Sequence, residues 1–341
     1  MSALPIGVFA LVLISFLPMR PLPDGPNVVA SQELSVMTSK GERIPVTVWY
    51  PTLAQTRGAA DTHAALAIPT SAPVILYSAG WGGSRSQSSI QVQNLASHGF
   101  VVVACPNDPT DPDRGPPFDF SSALQTTLSM ERMDRRVEAK ANILIEVLGA
   151  LGTSQAGAFA GRLNLDHVGV LGYSIGGAVG AQAAFQDPRI VAVFNLDGWL
   201  FGQAADAPTD RAYFLLSSNQ AFPSASASET DRNIARLSEL DHARNAARTE
   251  RLGGYWVAFD SADHEDLSDA LFALRRNRIF RSNFERRQIN SAIGAFEVAF
   301  FKSTLANESA PLLSARRVPY AFVRWISSTP PEELGTASAP R

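Results

Sequence analysis

The stretch Gly172-Tyr173-Ser174-Ile175-Gly176 decides the fold, because it joins an apolar run to a run of small residues. Residues 166–171 before it are typical of a short buried strand, and residues 175–185 after it are typical of a closely packed helix. The chain therefore has to turn sharply at Ser174. Glycines two positions before and after the serine remove side chains that this strained turn would drive into the neighbouring strand and helix. The pattern predicts a nucleophile elbow and hence a hydrolase.

The wider sequence supports the same fold class. From residue 73 onward, apolar segments alternate with helical patterns, and we predict strands at residues 74–77, 100–105, 168–171, 190–195, 213–216 and 255–259. Such alternation favours an α/β fold with a mostly parallel, twisted sheet and helices on both faces, which is the arrangement of an α/β-hydrolase. Residues 32–37 and 44–50 precede this region and predict an antiparallel hairpin at a sheet edge.

Two helices and two loops complete the predicted domain. Residues 130–148 show a helical apolar face, and a last long helix is expected at residues 283–305. Residues 52–72 are predicted to form a surface loop. Residues 107–129 contain four prolines and several acids, and this segment is too long for an ordinary connection. We therefore predict a lid or pocket-wall loop there.

Length and composition favour one large domain, which we place at residues 22–326 of the 341-residue chain. Apolar residues make up 45% of the sequence, which is enough for a sizeable core. The net charge is −3 and the basic residues are scattered, so nucleic acid is not an expected partner. Cys105 is the one cysteine, so it cannot form an internal disulfide, and a buried structural thiol is expected.

The two ends of the chain are expected to lie outside this domain. Residues 6–17 form an apolar run that is too short to span a bilayer comfortably and about right for a signal-peptide core. Residues 1–21 are therefore predicted to be a signal peptide or an N-terminal anchor, which implies a periplasmic, secreted or membrane-anchored protein. No basic residue precedes the run and no clear Ala-x-Ala site follows it, so a misassigned start codon or a core helix stays an alternative. Residues 327–341 are predicted to form a mobile tail.

A nucleophilic serine needs a histidine base and a carboxylate that orients the base. In this fold the order along the chain is serine, acid, histidine, with the last two following later strands. Asp197 follows the strand predicted directly after Ser174, where the acid is expected. An Asp before a Gly is also a common turn former. Asp187 and Asp206 are the competing acids, but Asp187 precedes its strand and so lies at the wrong edge of the sheet.

Among the five histidines, His264 fits the role of base, because it follows the strand at residues 255–259 and lies downstream of the acid. Simpler structural or solvent-exposed roles are expected for the other four, which are His63, His98, His167 and His242. Acidic residues flank His264, but no other histidine or carboxylate falls at metal-ligand spacing. The sequence therefore predicts neither a metal nor a cofactor.

The oxyanion that forms when serine attacks an ester needs preorganised N–H donors. One is expected from the residue after the nucleophile, Ile175, and one from the loop after an early strand. The run Tyr77-Ser-Ala-Gly-Trp-Gly-Gly-Ser84 is that loop, and Trp81 is the predicted second donor. A plain glycine-rich turn is the alternative.

Taken together, these motifs resemble the platelet-activating-factor acetylhydrolase family of α/β-hydrolases, within the dienelactone-hydrolase-like branch that uses a serine nucleophile. The resemblance extends over residues 22–305. Besides His264 and the segment Ser268-Asp269, it is carried by Leu22-Pro-Asp-Gly-Pro26, Val46-Thr-Val-Trp-Tyr-Pro51, Gly80-Trp-Gly-Gly83, Leu95-Ala-Ser-His-Gly-Phe-Val-Val-Val103, Gly172-Tyr-Ser-Ile-Gly-Gly177 and Leu196-Asp-Gly-Trp199.

The resemblance implies a serine carboxylester hydrolase that cleaves short or oxidised acyl esters, phospholipids among them, through an acyl-enzyme. The expected partner is a small-molecule or lipid ester, and the prediction allows for peripheral contact with a membrane. The chain departs from the family at Tyr173, where a His is usual, at Leu267, where an aromatic residue is usual, and at Asn107-Asp108, where an acid–histidine pair is common. The alternatives are a general or cutinase-like polyester esterase and a non-catalytic ligand-binding protein on a hydrolase fold.

Overall fold

A computed structural model of the chain describes residues 18–53, 66–107, 118–207, 210–219, 228–251, 253–273, 281–315 and 317–327. The apolar run at residues 6–17, much of the predicted loops at residues 52–72 and 107–129, and the tail beyond residue 327 lie outside these ranges. Within them, no helix is both long and apolar enough to cross a membrane.

The described residues form a nine-stranded sheet with the order β1-β2-β4-β3-β5-β6-β7-β8-β9. The strands are Val28–Met37, Arg43–Thr52, Ala72–Ser78, Val101–Cys105, Leu163–Tyr173, Ile190–Leu196, Ala212–Ser218, Tyr255–Phe259 and Val323–Trp325, numbered β1 to β9. Strands β3 to β8 pair in parallel. The predicted edge hairpin is β1 and β2, which pair antiparallel along their whole length.

Helices cover both faces of the sheet. They are α1 at Ser89–Ser97, α2 at Ala123–Leu151, α3 at Ile175–Gln186, α4 at Glu229–Arg251, α5 at Asn283–Leu305 and the short α6 at Pro311–Ser314. Buried residues of α2 and α3 pack in one apolar cluster, and buried residues of α1 and α5 pack in another on the opposite face. The prediction of an α/β fold with a mostly parallel sheet and two helical layers is confirmed.

The structure also extends the predictions. Helix α2 begins at Ala123, because Ser122 caps it by accepting a hydrogen bond from the Gln125 N–H at 3.2 Å. Part of the segment that we predicted as a loop is therefore helical. Helix α4 and the three-residue strand β9 were not predicted.

The last residues of the predicted leader contact the domain. The backbone N–H of Met19 donates to Asn283 Oδ1 at 3.2 Å, and the Arg20 guanidinium lies 2.5 Å from the Asp269 carboxylate. Residues 18–21 are thus placed against the domain.

The one cysteine, Cys105, is buried at the end of β4, and burial raises the pKa of its thiol to about 12. This inert, protonated state suits a structural thiol.

The sheet edge that matters for function is set by the strand order. Strand β3 lies between β4 and β5, so the connections that leave β3 and β5 run to opposite sides of the sheet. A crevice forms outside the carboxyl ends of parallel strands at such a switch point, and ligands commonly bind there. The predicted oxyanion loop follows β3 and the predicted nucleophile follows β5, so both lie at this crevice.

Glu297 on α5 is completely buried within the phenylalanine-rich layer, and neither carboxyl oxygen has a hydrogen-bond partner among the described residues. Burial raises its pKa well above the usual value. The folded protein therefore holds the Glu297 proton to higher pH than the unfolded chain, which releases it near pH 4.5. Folding takes up a proton, so this group makes stability fall as pH rises above the unfolded-state pKa, until the folded-state pKa is passed.

We expect Glu297→Gln to remove this dependence, because glutamine is a neutral isostere of the protonated acid. The free energy of unfolding of the variant should gain on that of the native chain by at most about 1.4 kcal/mol per pH unit, between the unfolded-state and the folded-state pKa of Glu297. Urea unfolding between pH 5 and pH 9 measures this difference. Asp241→Asn is the matched control. Burial raises the pKa of Asp241 to about 7, so the contribution of this carboxyl to the pH dependence of stability levels off above that pH. Parallel pH profiles for the native chain and the Gln variant would show that Glu297 is ionised in the folded state.

Candidate active site

Ser174 lies on a strained turn between β5 and α3. Its backbone has φ 55° and ψ −129°, a conformation that costs a residue with a side chain on the order of 1–3 kcal/mol. The turn is possible because its flanking glycines are in close contact with backbone: a Cβ on Gly176 would lie 2.1 Å from the Ser78 carbonyl oxygen, and one on Gly172 would lie 2.1 Å from the Gly176 carbonyl oxygen. These contacts agree with the prediction that side chains at the two glycine positions would be driven into the neighbouring strand and helix.

The three side chains predicted to form a triad meet at the carboxyl edge of the sheet. The Ser174 Oγ lies 3.0 Å from His264 Nε2, and His264 Nδ1 lies 2.7 Å from Asp197 Oδ2. The Asp197 carboxylate accepts a hydrogen bond from Nδ1–H, which leaves the Nε2 lone pair for the serine hydroxyl. Asp197 is 10% exposed and His264 33% exposed, so the carboxylate is shielded while the imidazole edge reaches solvent.

Hydrogen bonds from the neighbouring strand, in addition to the contact with His264, hold Asp197 in place. Its φ of 57° is in the left-handed region, which Asp tolerates better than most residues. Its backbone N–H donates to the Leu216 carbonyl at 2.9 Å. Ser218, at the end of β7, donates its backbone N–H to Oδ1 at 2.9 Å and its hydroxyl to Oδ2 at 2.5 Å. The carboxylate is thus fixed from the neighbouring strand, by a residue that the sequence did not identify.

His264 begins a short 3-10 helix, His264–Leu267, that follows β8. Asp263 caps this helix by accepting hydrogen bonds from the backbone N–H groups of Glu265 and Asp266. The buried Asp266 carboxylate pairs in turn with Arg281 at 3.0 Å. The acidic residues around His264 therefore cap and anchor the turn. Across the described ranges, no group of three or more His, Cys, Asp or Glu side chains is arranged to hold a metal ion.

The competing acids have other partners. Arg189 binds Asp187 at 2.6 Å, and the hydrogen bonds from this guanidinium lower the pKa of Asp187. Asp206 is paired with Arg244 at 2.7 Å on the surface. Neither carboxylate lies against His264, whose Nδ1 contacts Asp197.

The other described histidines have their own surroundings. His98 caps the C-terminus of α1 and pairs with Asp24 at 2.8 Å. His167 is exposed within β5, and the His242 ring lies 4.7 Å from that of Trp256. His63 lies outside the described residues.

The loop after β3 forms a tight turn beside the nucleophile. The Gly83 N–H donates to the Gly80 carbonyl at 3.1 Å, which leaves the N–H of Trp81 outside the turn's own hydrogen bond. A Cβ on Gly80 would lie 3.1 Å from Ser174 Cβ, so the loop touches the nucleophile. Ile175 begins α3, and its N–H is one of those without an intrahelical acceptor. Among the described residues neither N–H has a backbone acceptor outside its own turn or helix, as the predicted role of oxyanion donor requires.

Polar side chains hold this loop in place. Asn107 Nδ2 donates to the carbonyls of Gly80 at 3.0 Å and Gly83 at 2.6 Å, and Gln87 Oε1 accepts from the Gly80 N–H at 2.8 Å. The buried Lys140 ammonium donates to the Ala79 carbonyl at 3.2 Å. Asn107 is one of the departures from the family pattern, and here it fixes both ends of the turn. Sequence reasoning missed Gln87 and Lys140, which carry no local signal.

Aromatic side chains adjoin the site. The Arg136 guanidinium lies 3.5 Å from the centre of the Trp81 ring, a cation–π contact. On the other side, Trp199 follows Gly198, and a Cβ on that glycine would lie 2.0 Å from the Ser174 carbonyl oxygen. Phe118 belongs to the segment predicted as a pocket wall, and the centre of its ring lies 6.4 Å from that of the Trp199 ring. Two half-buried tryptophans therefore follow glycines that contact the nucleophile.

Comparison with known proteins agrees with this architecture. Residues 32–112 match the model of the family described as platelet-activating factor acetylhydrolase, isoform II. A cutinase of Thermobifida alba is 23% identical over 195 residues, which cover 54% of this chain and 58% of the cutinase. The match thus spans less than two thirds of that relative.

A solved structure matches most of the chain. The structure of a ferulic acid esterase from Streptomyces cinnamoneus superposes with a TM-score of 0.66, covering 90% of this chain and 99% of that one at 20% sequence identity. At that identity the likeness establishes the fold. Together with the match of residues 32–112 to the acetylhydrolase model, it confirms the predicted resemblance to that family.

Proposed function

We propose that the protein is a serine carboxylester hydrolase that works through an acyl-enzyme, with Ser174, His264 and Asp197 as its catalytic triad. One observation carries the proposal: an unbroken chain of contacts runs from the Ser174 hydroxyl through the imidazole to the Asp197 carboxylate, with distances of 3.0 and 2.7 Å. Contacts of this length are within the reach needed for proton transfer. The esterase relatives support the same reaction class.

In acylation, the Ser174 Oγ attacks the ester carbonyl carbon while His264 Nε2 takes its proton. The imidazolium that forms is stabilised by the shielded Asp197 carboxylate. The tetrahedral oxyanion is bound by the N–H groups of Ile175 and Trp81, which need no reorganisation because α3 and the clamped turn already fix them. Collapse of this intermediate breaks the bond to the alcohol, which leaves with the proton from His264.

Deacylation repeats these steps with water. His264 removes a proton from a water molecule, whose oxygen attacks the acyl carbon held on Ser174. The same two N–H groups stabilise the second oxyanion, and the carboxylic acid leaves as Ser174 regains its proton. Every step uses side chains and backbone groups of this chain.

For the substrate, we propose an ester with a short or oxidised acyl chain on a lipid-like alcohol, in keeping with the acetylhydrolase family that the chain resembles. The aromatic side chains of Trp81, Trp199 and Phe118 supply an apolar surface beside the nucleophile. Such a surface suits the apolar part of an ester. A polyester is the alternative raised by the similarity to a cutinase.

A fluorophosphonate probe tests the reaction class directly, because it phosphonylates only a serine that is activated as a nucleophile. We expect one probe molecule per chain, located on Ser174 by peptide mass spectrometry, and a burst of p-nitrophenol from p-nitrophenyl butyrate equal to the labelled fraction. A chain that is folded but unlabelled would be a binding protein on a hydrolase fold.

A panel of substrates then resolves the class of ester. Phospholipids with short, oxidised and long sn-2 chains, p-nitrophenyl esters of increasing length and an insoluble polyester film should be compared by product analysis. The proposal requires the ratio kcat/KM to be highest for short or oxidised chains. Preferential release of monomers from the film would instead favour the cutinase-like alternative.

A further inference from the structure

Tyr173 joins two parts of the site that are far apart in the sequence. It is the last residue of β5, directly before the strained Ser174, and its side chain is 4% exposed. The phenol hydroxyl donates a hydrogen bond to the backbone carbonyl of His264 at 3.1 Å. The phenol ring also stacks on the imidazole, with ring centres 5.1 Å apart and planes 26° from parallel. One side chain therefore contacts both the backbone and the ring of the histidine.

These contacts supply constraints that the triad itself lacks. A single hydrogen bond from Nδ1 to Asp197 fixes one atom of the imidazole but leaves the ring free to tilt about that contact. Stacking on the Tyr173 ring restricts this tilt, and the bond to the His264 carbonyl fixes the start of the 3-10 helix. Proton transfer is sensitive to small displacements, because catalytic geometry has to be held within about 0.5 Å.

We propose that Tyr173 is a positioning residue that aligns His264 with Ser174, an inference that rests on the proposed serine hydrolase function. Its hydroxyl anchors the histidine backbone and its ring sets the plane of the imidazole. The shorter imidazole of a histidine, usual at this position in the family that the chain resembles, does not extend as far from Cβ as a phenol. The anchor is thus a property of this chain's tyrosine.

Two variants separate the two contacts. Tyr173→Phe keeps the ring and removes only the hydroxyl, and Tyr173→Leu removes both. We expect kcat for p-nitrophenyl butyrate to fall about tenfold in the Phe variant, the size of loss that goes with one missing hydrogen bond. It should fall further in the Leu variant, while KM stays within about twofold because Tyr173 is buried beneath the site.

Tyr320→Phe is the matched control. Its hydroxyl also donates to a backbone carbonyl, that of Ser291 at 3.4 Å, but on the helix α5 side of the molecule and outside the catalytic contacts. This variant should keep kcat and KM unchanged. Rates are measured at 25 °C with folding checked by circular dichroism, so that loss of folded protein is not counted as loss of activity.

A double-mutant cycle gives a readout that a merely structural role would not move. If Tyr173 acts through the imidazole, Tyr173→Phe should have no further effect on the residual activity of His264→Ala. A tenfold loss that persists in the His264→Ala background, a change confined to KM, or an unchanged kcat in Tyr173→Phe would each overturn the proposal. A native chain that neither hydrolyses esters nor reacts with a fluorophosphonate would instead overturn the proposed function.

Discussion

Ser174→Ala should lower kcat/KM for p-nitrophenyl butyrate by about 10⁴- to 10⁶-fold, the range found when the nucleophile of a serine hydrolase is removed. The hydroxyl is the group that forms the acyl-enzyme, and alanine leaves His264 without a proton to accept. Residual hydrolysis would come from water in a site that still binds the oxyanion. The burst of p-nitrophenol and the labelling by fluorophosphonate should both disappear, because each requires a covalent bond to Oγ.

The structure predicts that this variant folds. The Ser174 hydroxyl has its contact with His264, and the sharp turn depends on backbone and on glycines that the substitution leaves intact. The midpoint of thermal unfolding should therefore stay close to that of the native chain. Ser314→Ala serves as the control for a serine hydroxyl remote from the site, since it removes a bond to the Pro311 carbonyl on the surface. Turnover that survives in Ser174→Ala would mean that another residue is the nucleophile.

Most of the fold followed from local patterns, because the strands at the centre of the sheet are continuous apolar runs and the sequence between them has a helical period. Helix α5 shows why some bounds are predictable. Ser282 and Glu285 form a capping box that marks its start, and the observed helix, Asn283–Leu305, has the predicted bounds. Residues after parallel strands meet at one sheet edge, so the three side chains of the proposed triad could be chosen before their contacts were known.

Other features depend on contacts that no local pattern encodes. Helix α4 is largely polar and charged, so it has no continuous apolar face to identify it. Strand β9 has three residues and is formed by pairing with β8. The residues that hold the site, among them Ser218, Asn107 and Tyr173, act on groups distant in sequence, so that only the folded chain brings donor and acceptor together.

Asp197→Asn should lower kcat/KM by about 10³- to 10⁴-fold, and the structure gives a specific reason for the loss. Oδ1 of Asp197 accepts a hydrogen bond from the Ser218 backbone N–H at 2.9 Å, and this group can only donate. The amide oxygen of an asparagine has to occupy that position, which places the NH₂ group where Oδ2 now meets His264 Nδ1. Two donors cannot face each other, so the imidazole would carry its proton on Nε2 instead.

In that tautomer Nε2 cannot accept the serine proton, so acylation is blocked although all three side chains stay in place. Fluorophosphonate labelling of Asp197→Asn should slow in parallel with kcat/KM, while the thermal midpoint changes little. Asp206→Asn is the matched control, since it makes the same chemical change in a surface pair with Arg244. If Asp206→Asn lost activity and Asp197→Asn kept it, the orienting acid would be misassigned, and the contact between residues 197 and 264 would be structural.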